Sequence, residues 1–388
     1  MPRESIDVLV VGAGFAGLVM AERLTSQLGL RVVVADRKPH LGGNAHDRLD
    51  AAGVLVHPYG PHYFRTNSSE VVDYLSLFTG WRPVDYTIKS FARGRYWSFP
   101  VNLHTFEQLI GRPASEEEFR AYLERVREPV AEPRNSEEVV VSQVGRELYE
   151  LFYEGYTRKQ WKRHPRELDA SVCGRVPVRT GRDERYLTEN FQALPDSGYT
   201  VMFERMAEAS PGLRLLLDTD FEEAKRHFTW KHLVFSGAVD EYFGFRPGRL
   251  PYRSLRFEPE SFSADQLAAR IAESGRAGCW QPAVQVNYPG AEFPFTRIVE
   301  IKHATGQNID ASTIVREFPA DHEETGEPYY PIPGPESRSL AEQYRQAAES
   351  EPHTTFLGRL GRYRYYNMDQ VVSQALHEFR KLAPRFAK

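Results

Sequence analysis

Cysteine is almost missing from this chain of 388 residues: Cys173 and Cys279 are the whole supply, too few and too far apart for a disulfide framework or a zinc site, and no metal is expected. Long apolar runs are missing too, since none reaches the roughly twenty residues of a membrane span. Neither charge is in excess: 49 basic against 53 acidic residues leave a formal charge of −4. No basic block is long enough to track a nucleic-acid backbone, so an anionic ligand has to be met locally. The charged segment that should precede the apolar core of a secretory signal is meagre, and Asp7 interrupts the core itself. What these absences leave is a cytoplasmic enzyme with no nucleic acid and no membrane span.

What is there begins with the segment Ile6–Gly17 (IDVLVVGAGFAG), where an apolar strand, Ile6 to Val11, runs into a turn carrying Gly12, Gly14 and Gly17. Glycines let the backbone approach a pyrophosphate. The helix that opens there, through Phe15 and Ala16, offers free N–H groups and its positive dipole end to that anion. Asp36 closes a second strand, Arg31 to Ala35, nineteen residues beyond Gly17, and can accept from a ribose hydroxyl. Arg37, Asn44 and His46 follow within reach of the same ligand. The pair Gly42-Gly43 separates two cofactors: an acid, five residues and Gly-Gly is the arrangement in which a further turn wraps the pyrophosphate of FAD, which favours FAD over NAD. An ordinary surface turn is the competing explanation of Gly-Gly.

A chain of this length exceeds one simple core, and two or three domains are expected. After Tyr63 the pattern turns helical. Ser115 with Glu118 forms a capping box before Phe119, Tyr122 and Val126, and Asn135 with Glu138 precedes an apolar-periodic run from Val139 through Tyr156. From Pro251 the period becomes two: in AVQVNY, Val284, Val286 and Tyr288 share one face, Gln285 and Asn287 the other. Tyr252 to Glu258, Thr296 to Lys302 and Thr313 to Phe318 read as further strands. His232–Gly237 and Phe356–Leu376 return to the nucleotide fold, the latter through a helix beginning near Asn367 or Met368. That helix either aims its dipole at a flavin ring or is simply capped by Asn367. The fold class is therefore α/β. An FAD-binding Rossmann-like domain (1–78, 196–244 and 336–388) carries a helical insertion domain facing the substrate (79–180) and an antiparallel β-sheet domain (181–195 and 245–335).

Several later blocks resemble one family, the UDP-galactopyranose mutases, in order and over almost the whole chain. They are Gly155-Tyr156-Thr157-Arg158-Lys159-Gln160-Trp161, then Arg175-Val176-Pro177-Val178-Arg179, Phe295-Thr296-Arg297-Ile298, Glu327-Pro328-Tyr329-Tyr330-Pro331, and Gly358-Arg359-Leu360 with Tyr363, Tyr365, Tyr366 and Met368. The resemblance implies a homo-oligomeric FAD enzyme that interconverts UDP-galactopyranose and UDP-galactofuranose, a ring contraction without net redox change. It also implies that the flavin acts in its reduced form, supplied by an external reductant, through a covalent adduct at N5. Catalysis by the cofactor leaves the protein to bind, orient and stabilise charge, which accounts for the lack of a Ser-His-Asp set.

By the same resemblance Arg175 and Arg297 engage the diphosphate and stabilise the charge on departing UDP, a task suited to a planar guanidinium fork. Tyr186, Tyr330 and Tyr365 match tyrosines that hold phosphates and sugar, Phe152, Tyr156 and Thr157 the uracil site, and Asn287 a uridine contact. Trp161 begins a mobile loop that closes over substrate and shields it from water. His62 matches a histidine at the flavin edge and is counted with the two arginines as catalytic. Arg359, Asn367 and Met368 are assigned to the cofactor. Without the motif, surface ion pairs would explain the arginines and core packing the aromatics.

Three departures fall near the expected sugar. Arg65 stands where relatives often carry a second histidine, Asn367 replaces an acid, and Tyr186-Leu187-Thr188-Glu189 differs from the family's aromatic and Asn-His pattern. A mutase acting on UDP-N-acetylgalactosamine, or on another nucleotide-activated hexose, therefore stays open. So does a redox flavoenzyme of the amine-oxidase kind, which would consume an electron acceptor and would not need both arginines. A protein that only binds FAD or UDP-sugar is a third alternative.

Overall fold

Strand Glu4–Val11 is buried on both faces from Ile6 to Val10, as a central parallel strand must be, and it organises a five-stranded sheet around itself. The order across this sheet is Leu213–Leu216, Val32–Ala35, Glu4–Val11, Phe228–Phe235 and Thr354–Phe356, with every neighbour pair parallel. Strand order reverses on either side of Glu4–Val11, which opens a crevice at the carboxyl ends of Glu4–Val11 and Phe228–Phe235. The structure is a computed structural model and describes residues 2–332 and 335–386. Helix Phe15–Leu28 leaves that crevice with a fully buried apolar stripe, stops at Gly29 in the left-handed region, and packs against helix Met368–Leu382. Asn367 caps the latter in a box with Gln370.

A second sheet of seven strands runs Tyr330–Pro331, Tyr252–Phe262, Ser312–Asp321, Arg297–Val299, Gln285–Asn287, Ile88–Ala92 and Arg95–Phe99. Expected strands at 252–258, 283–288, 296–302 and 313–318 all have counterparts here. The third is short, because Lys302–Thr305 is already a helical turn. The sheet is not wholly antiparallel: Gln285–Asn287 and Ile88–Ala92 run parallel.

The helical reading of residues 79–99 gives way to strands, Trp81–Pro83 and the hairpin Ile88–Ala92 with Arg95–Phe99. Arg93 and Gly94 supply its turn, both at positive φ (50° and 73°), and the aromatic strand Arg95–Phe99 suits a half-buried pleat. Residues 181–195 contribute no strand to the large sheet: Arg185 makes an isolated bridge to Thr87 beside it, and Phe191–Pro195 pairs with Phe64–Thr66 and Trp81–Pro83 in a separate three-stranded sheet. Strand Leu213–Leu216 had no counterpart in the sequence reading. Both capping signals of the helical region form as expected, at Ser115 and Asn135. The run from Val139 to Tyr156 is broken into helix Ser136–Tyr149, a π-turn over Glu150–Glu154, and helix Gly155–Trp161. No helix among the described residues is long and apolar enough to cross a membrane.

Candidate active site

The three pieces of the glycine motif are tied together by hydrogen bonds at the backbone of Ala13. Gly42 N–H donates to Ala13 O at 2.8 Å, and Ala13 N–H donates to Asp36 Oδ2 at 2.6 Å. Gly12 takes a φ of 103° that a side chain would strain, and a Cβ there would also displace Ser236 Oγ, 2.1 Å away. A Cβ on Gly17 would lie 1.8 Å from Gly12 O, so this glycine lets helix and turn pack rather than touching a ligand. A Cβ on Gly43 would come within 3.3 Å of Gly14 Cα, so the two glycine turns close over one another. This cradle of bare backbone fits a dinucleotide pyrophosphate.

Around it lies a cavity of about 630 Å³ lined by Gly12, Gly14, Phe15, Ala16, Asp36, Arg37, Gly43, Asn44, His62, Arg359 and Met368. Gly17 and Asn367, assigned with these residues, do not line it. Asn367 faces the neighbouring pocket, because capping its helix fixes it on the outer side of the turn. His46 is also turned away, stacked on His40 and bonded to Thr200 Oγ1 at 3.0 Å, and burial lowers its pKa to about 4.

The neighbouring pocket, about 300 Å³, holds all ten residues assigned to substrate. Phe152, Tyr156, Thr157 and Trp161 come from the π-turn and the helix after it, a local geometry recurrent at functional sites. Phe152 also packs on Trp97 and Phe99, so it serves core and pocket together. Asn287 and Arg297 sit directly opposite each other on paired strands, and Arg297 sits opposite Glu317 on the next. These three therefore share one face in one row. Arg297 Nε donates to Glu317 Oε2 at 2.7 Å and its Nη1 to Gln285 Oε1 at 3.4 Å. Glu317 is fully buried, and burial pushes its pKa up despite the opposing pull of Arg297. Its other oxygen, Oε1, has no hydrogen-bond partner among the described residues.

Opposite this row Tyr330 and Tyr365 stack at 5.6 Å, with the Arg359 guanidinium 5.1 Å and 4.9 Å from their ring centres and that of Arg175 5.5 Å from Tyr365. Arg359 is pinned by the carbonyls of Tyr366 and Tyr329 at 2.7 and 3.2 Å. Tyr365 leaves 42% of its surface open, yet its hydroxyl bonds Arg175. Burial would raise its pKa, but Arg175, Arg359 and Arg297 outweigh it and bring the hydroxyl down to about 8. Tyr186 closes the pocket edge-on to Tyr86. His62 is held neutral by burial, its pKa lowered to about 3. Its Nδ1 faces Gly60 O at 2.8 Å and so carries the proton, leaving Nε2 as an acceptor.

His62, Arg359 and Met368 line both cavities, which join there. The sequence reading missed Gln285 and Glu317 in this site. Alternation put Gln285 on the polar strand face, but nothing in strand Ser312–Asp321 distinguishes a buried counter-ion from a surface acid.

Fold and cavities thus define a dinucleotide-dependent flavoenzyme whose cofactor cleft opens onto a second pocket lined by arginines and tyrosines. A profile for the NAD(P)-binding Rossmann-like domain matches residues 10–77, and one for UDP-galactopyranose mutase matches residues 151–365. The chain is 36% identical over 373 residues to a "Probable UDP-galactopyranose mutase" of Klebsiella pneumoniae, covering 95% of this chain and 93% of that one. It is 33% identical to the dTDP-fucopyranose mutase of Escherichia coli, covering 95% and 96%. The chain belongs to the UDP-galactopyranose mutase family and is an isomerase. Among solved structures, reduced UDP-galactopyranose mutase shares the fold with a TM-score of 0.72 at 17% identity, covering 98% of this chain and 94% of that one. A putrescine oxidase shares it at 0.57 and 13%, covering 99% and 100%.

Proposed function

We propose that the enzyme interconverts UDP-galactopyranose and UDP-galactofuranose on a reduced FAD, with no net redox change. The junction of the two cavities at His62, Arg359 and Met368 carries this reading: a diphosphate between Arg175 and Arg297 leaves a hexose facing the cofactor. Reduced flavin, when bound, supplies a nucleophilic N5 for the anomeric carbon.

The chain supplies the rest. Arg175 and Arg297 hold the diphosphate and stabilise charge as UDP leaves. Tyr186, Tyr330 and Tyr365 donate hydroxyls from rings that exclude water. Phe152, Tyr156, Thr157 and Asn287 receive the uridine, and Trp161 with the segment after it shields the site. Asp36 uses one oxygen for Ala13 N–H and the other for Lys38 N–H, and its remaining lone pairs can accept from the ribose. His62 Nε2 accepts from a donor at the junction. The reading includes a cytoplasmic homo-oligomer kept active by an external flavin reductant.

Anaerobic incubation with UDP-galactopyranose, with and without dithionite, is the test. Conversion only in the reduced sample supports the reading. Acceptor consumption without conversion sinks it in favour of a redox flavoenzyme.

One observation favours a second substrate. The three departures from the family pattern form one cluster: Arg65 Nη1 lies 3.2 Å from Glu189 Oε1, and Arg65 Nη2 donates to Asn367 Oδ1 at 3.2 Å. Glu189 balances the charge, while the guanidinium keeps N–H groups to spare at the pocket wall, where a neutral acceptor such as a sugar N-acetyl carbonyl suits it. UDP-N-acetylgalactosamine is therefore the second sugar to assay, with Arg65→His expected to lose that activity selectively.

A further inference from the structure

The motif residue Lys159 does not reach the pocket. Its ammonium, with three N–H donors, is instead surrounded within hydrogen-bond distance by four backbone carbonyls of one loop: Tyr288 O, Gly290 O at 2.9 Å, Phe293 O at 3.0 Å and Phe295 O at 2.9 Å. One turn earlier on the same helix face, Gly155 lies so close to this loop that a Cβ would stand 2.3 Å from Pro289 O. Gln160 Oε1 adds a third tie by accepting from Thr296 Oγ1 at 3.3 Å. Helix Gly155–Trp161 is thus seated on the loop by bare backbone, by a cation and by a hydroxyl.

The loop matters for what it joins. Asn287 ends the strand before it and Arg297 begins the strand after it, while the helix itself presents Tyr156, Thr157 and Trp161 to the pocket. Resting on the proposed nucleotide site, we infer that Lys159 is a positioning residue whose ammonium fills a carbonyl cage, fixing Asn287 and Arg297 in register with Tyr156 and Trp161. Four converging carbonyls form the kind of cage that takes a potassium or ammonium ion in place of its hydration shell. Truncating the side chain therefore creates a site that such an ion can refill.

The test uses the flavin-loaded protein with Lys159→Ala and Lys159→Met, and UDP binding as readout. It is run at pH 7, below the value of about 8 to which burial lowers this lysine. Lys159→Ala in lithium chloride is expected to weaken UDP binding by about tenfold or more at unchanged flavin content, raising KM more than it lowers kcat. Potassium or ammonium at equal ionic strength should recover most of that loss. Lys159→Met, whose side chain occupies the cage without charge, should not respond. UDP binding by Lys159→Ala within about twofold of wild type, or recovery equal in lithium and potassium, would overturn the inference. Should Lys159→Ala be too unstable for binding work, its melting temperature in potassium against lithium reads the same cage, and equal values overturn it. If wild-type protein itself fails to bind UDP, the nucleotide reading falls, while the cation-specific melting shift still decides the role of the cage.

Discussion

Replacing Glu317 by Gln removes the fully buried charge of its ion pair with Arg297, itself partly open to the pocket, while keeping its shape. With charge centres roughly 4 Å apart and an effective dielectric near 20, the attraction is about 4 kcal/mol. Losing one partner of a buried pair costs about 3–5 kcal/mol, because the survivor stays desolvated. Gln can still accept from Arg297 Nε, so a loss of about 3 kcal/mol is expected, a fall in Tm of several degrees for a chain this long. The direction of the ligand response is the sharper point. A diphosphate replaces the missing negative charge, so UDP should raise the melting temperature of the variant more than that of wild type, even as turnover drops. The double variant Arg297→Met with Glu317→Gln should be more stable than Glu317→Gln alone and catalytically dead. Thermal unfolding with and without UDP measures the stabilities, and a turnover assay the activities. A Glu317→Gln protein as stable as wild type, or a double variant less stable than the single, would refute the pairing argument.

Arg175→Ala should abolish most turnover yet leave flavin content unchanged, since Arg175 lines only the second pocket; retained wild-type activity removes it from the site. Tyr365, with its pKa brought down to about 8 by three guanidinium groups, becomes an anion above that pH and loses its donor proton. UDP affinity should therefore fall as pH rises through about 8, and calorimetry on Tyr365→Phe should show that step missing. His303 donates to Glu300 at 3.2 Å. Burial would lower its pKa, but Cys279 and Glu300 raise it to about 9. Its contribution to stability is complete below pH 6.5 and lost as pH rises through 9, so the unfolding midpoint should drop over that window, and less in His303→Gln.

The nucleotide fold was legible because its constraints are local. A glycine that admits no Cβ, an acid on the next strand and a cap ahead of a periodic run are each written within a few residues. Residues 79–99 misled for the same reason. Pro83 and Gly94 punctuate that segment just as Pro113, Pro129 and Pro133 punctuate the helical stretch that follows, yet Arg93-Gly94 makes a hairpin turn whose first strand, Ile88–Ala92, finds its second partner about two hundred residues away, at 285–287. Pairing at that distance leaves no mark on the segment itself.

The site divides along a similar line. Residues that meet a ligand carry recognisable chemistry, and Arg175, Arg297, Tyr156 and Tyr365 gather in one pocket from positions spread over two hundred residues. Residues that hold those groups in place do not announce themselves. Glu317 is one acid among 53 acidic residues, and only the register of three strands shows that it faces Arg297. Lys159 sits inside the motif yet turns away from the pocket, so the sequence marks its position and conceals its task. A motif residue can thus be required for what it does to a loop, and its neighbours in space, not its neighbours in the motif, say which ligand group feels its loss.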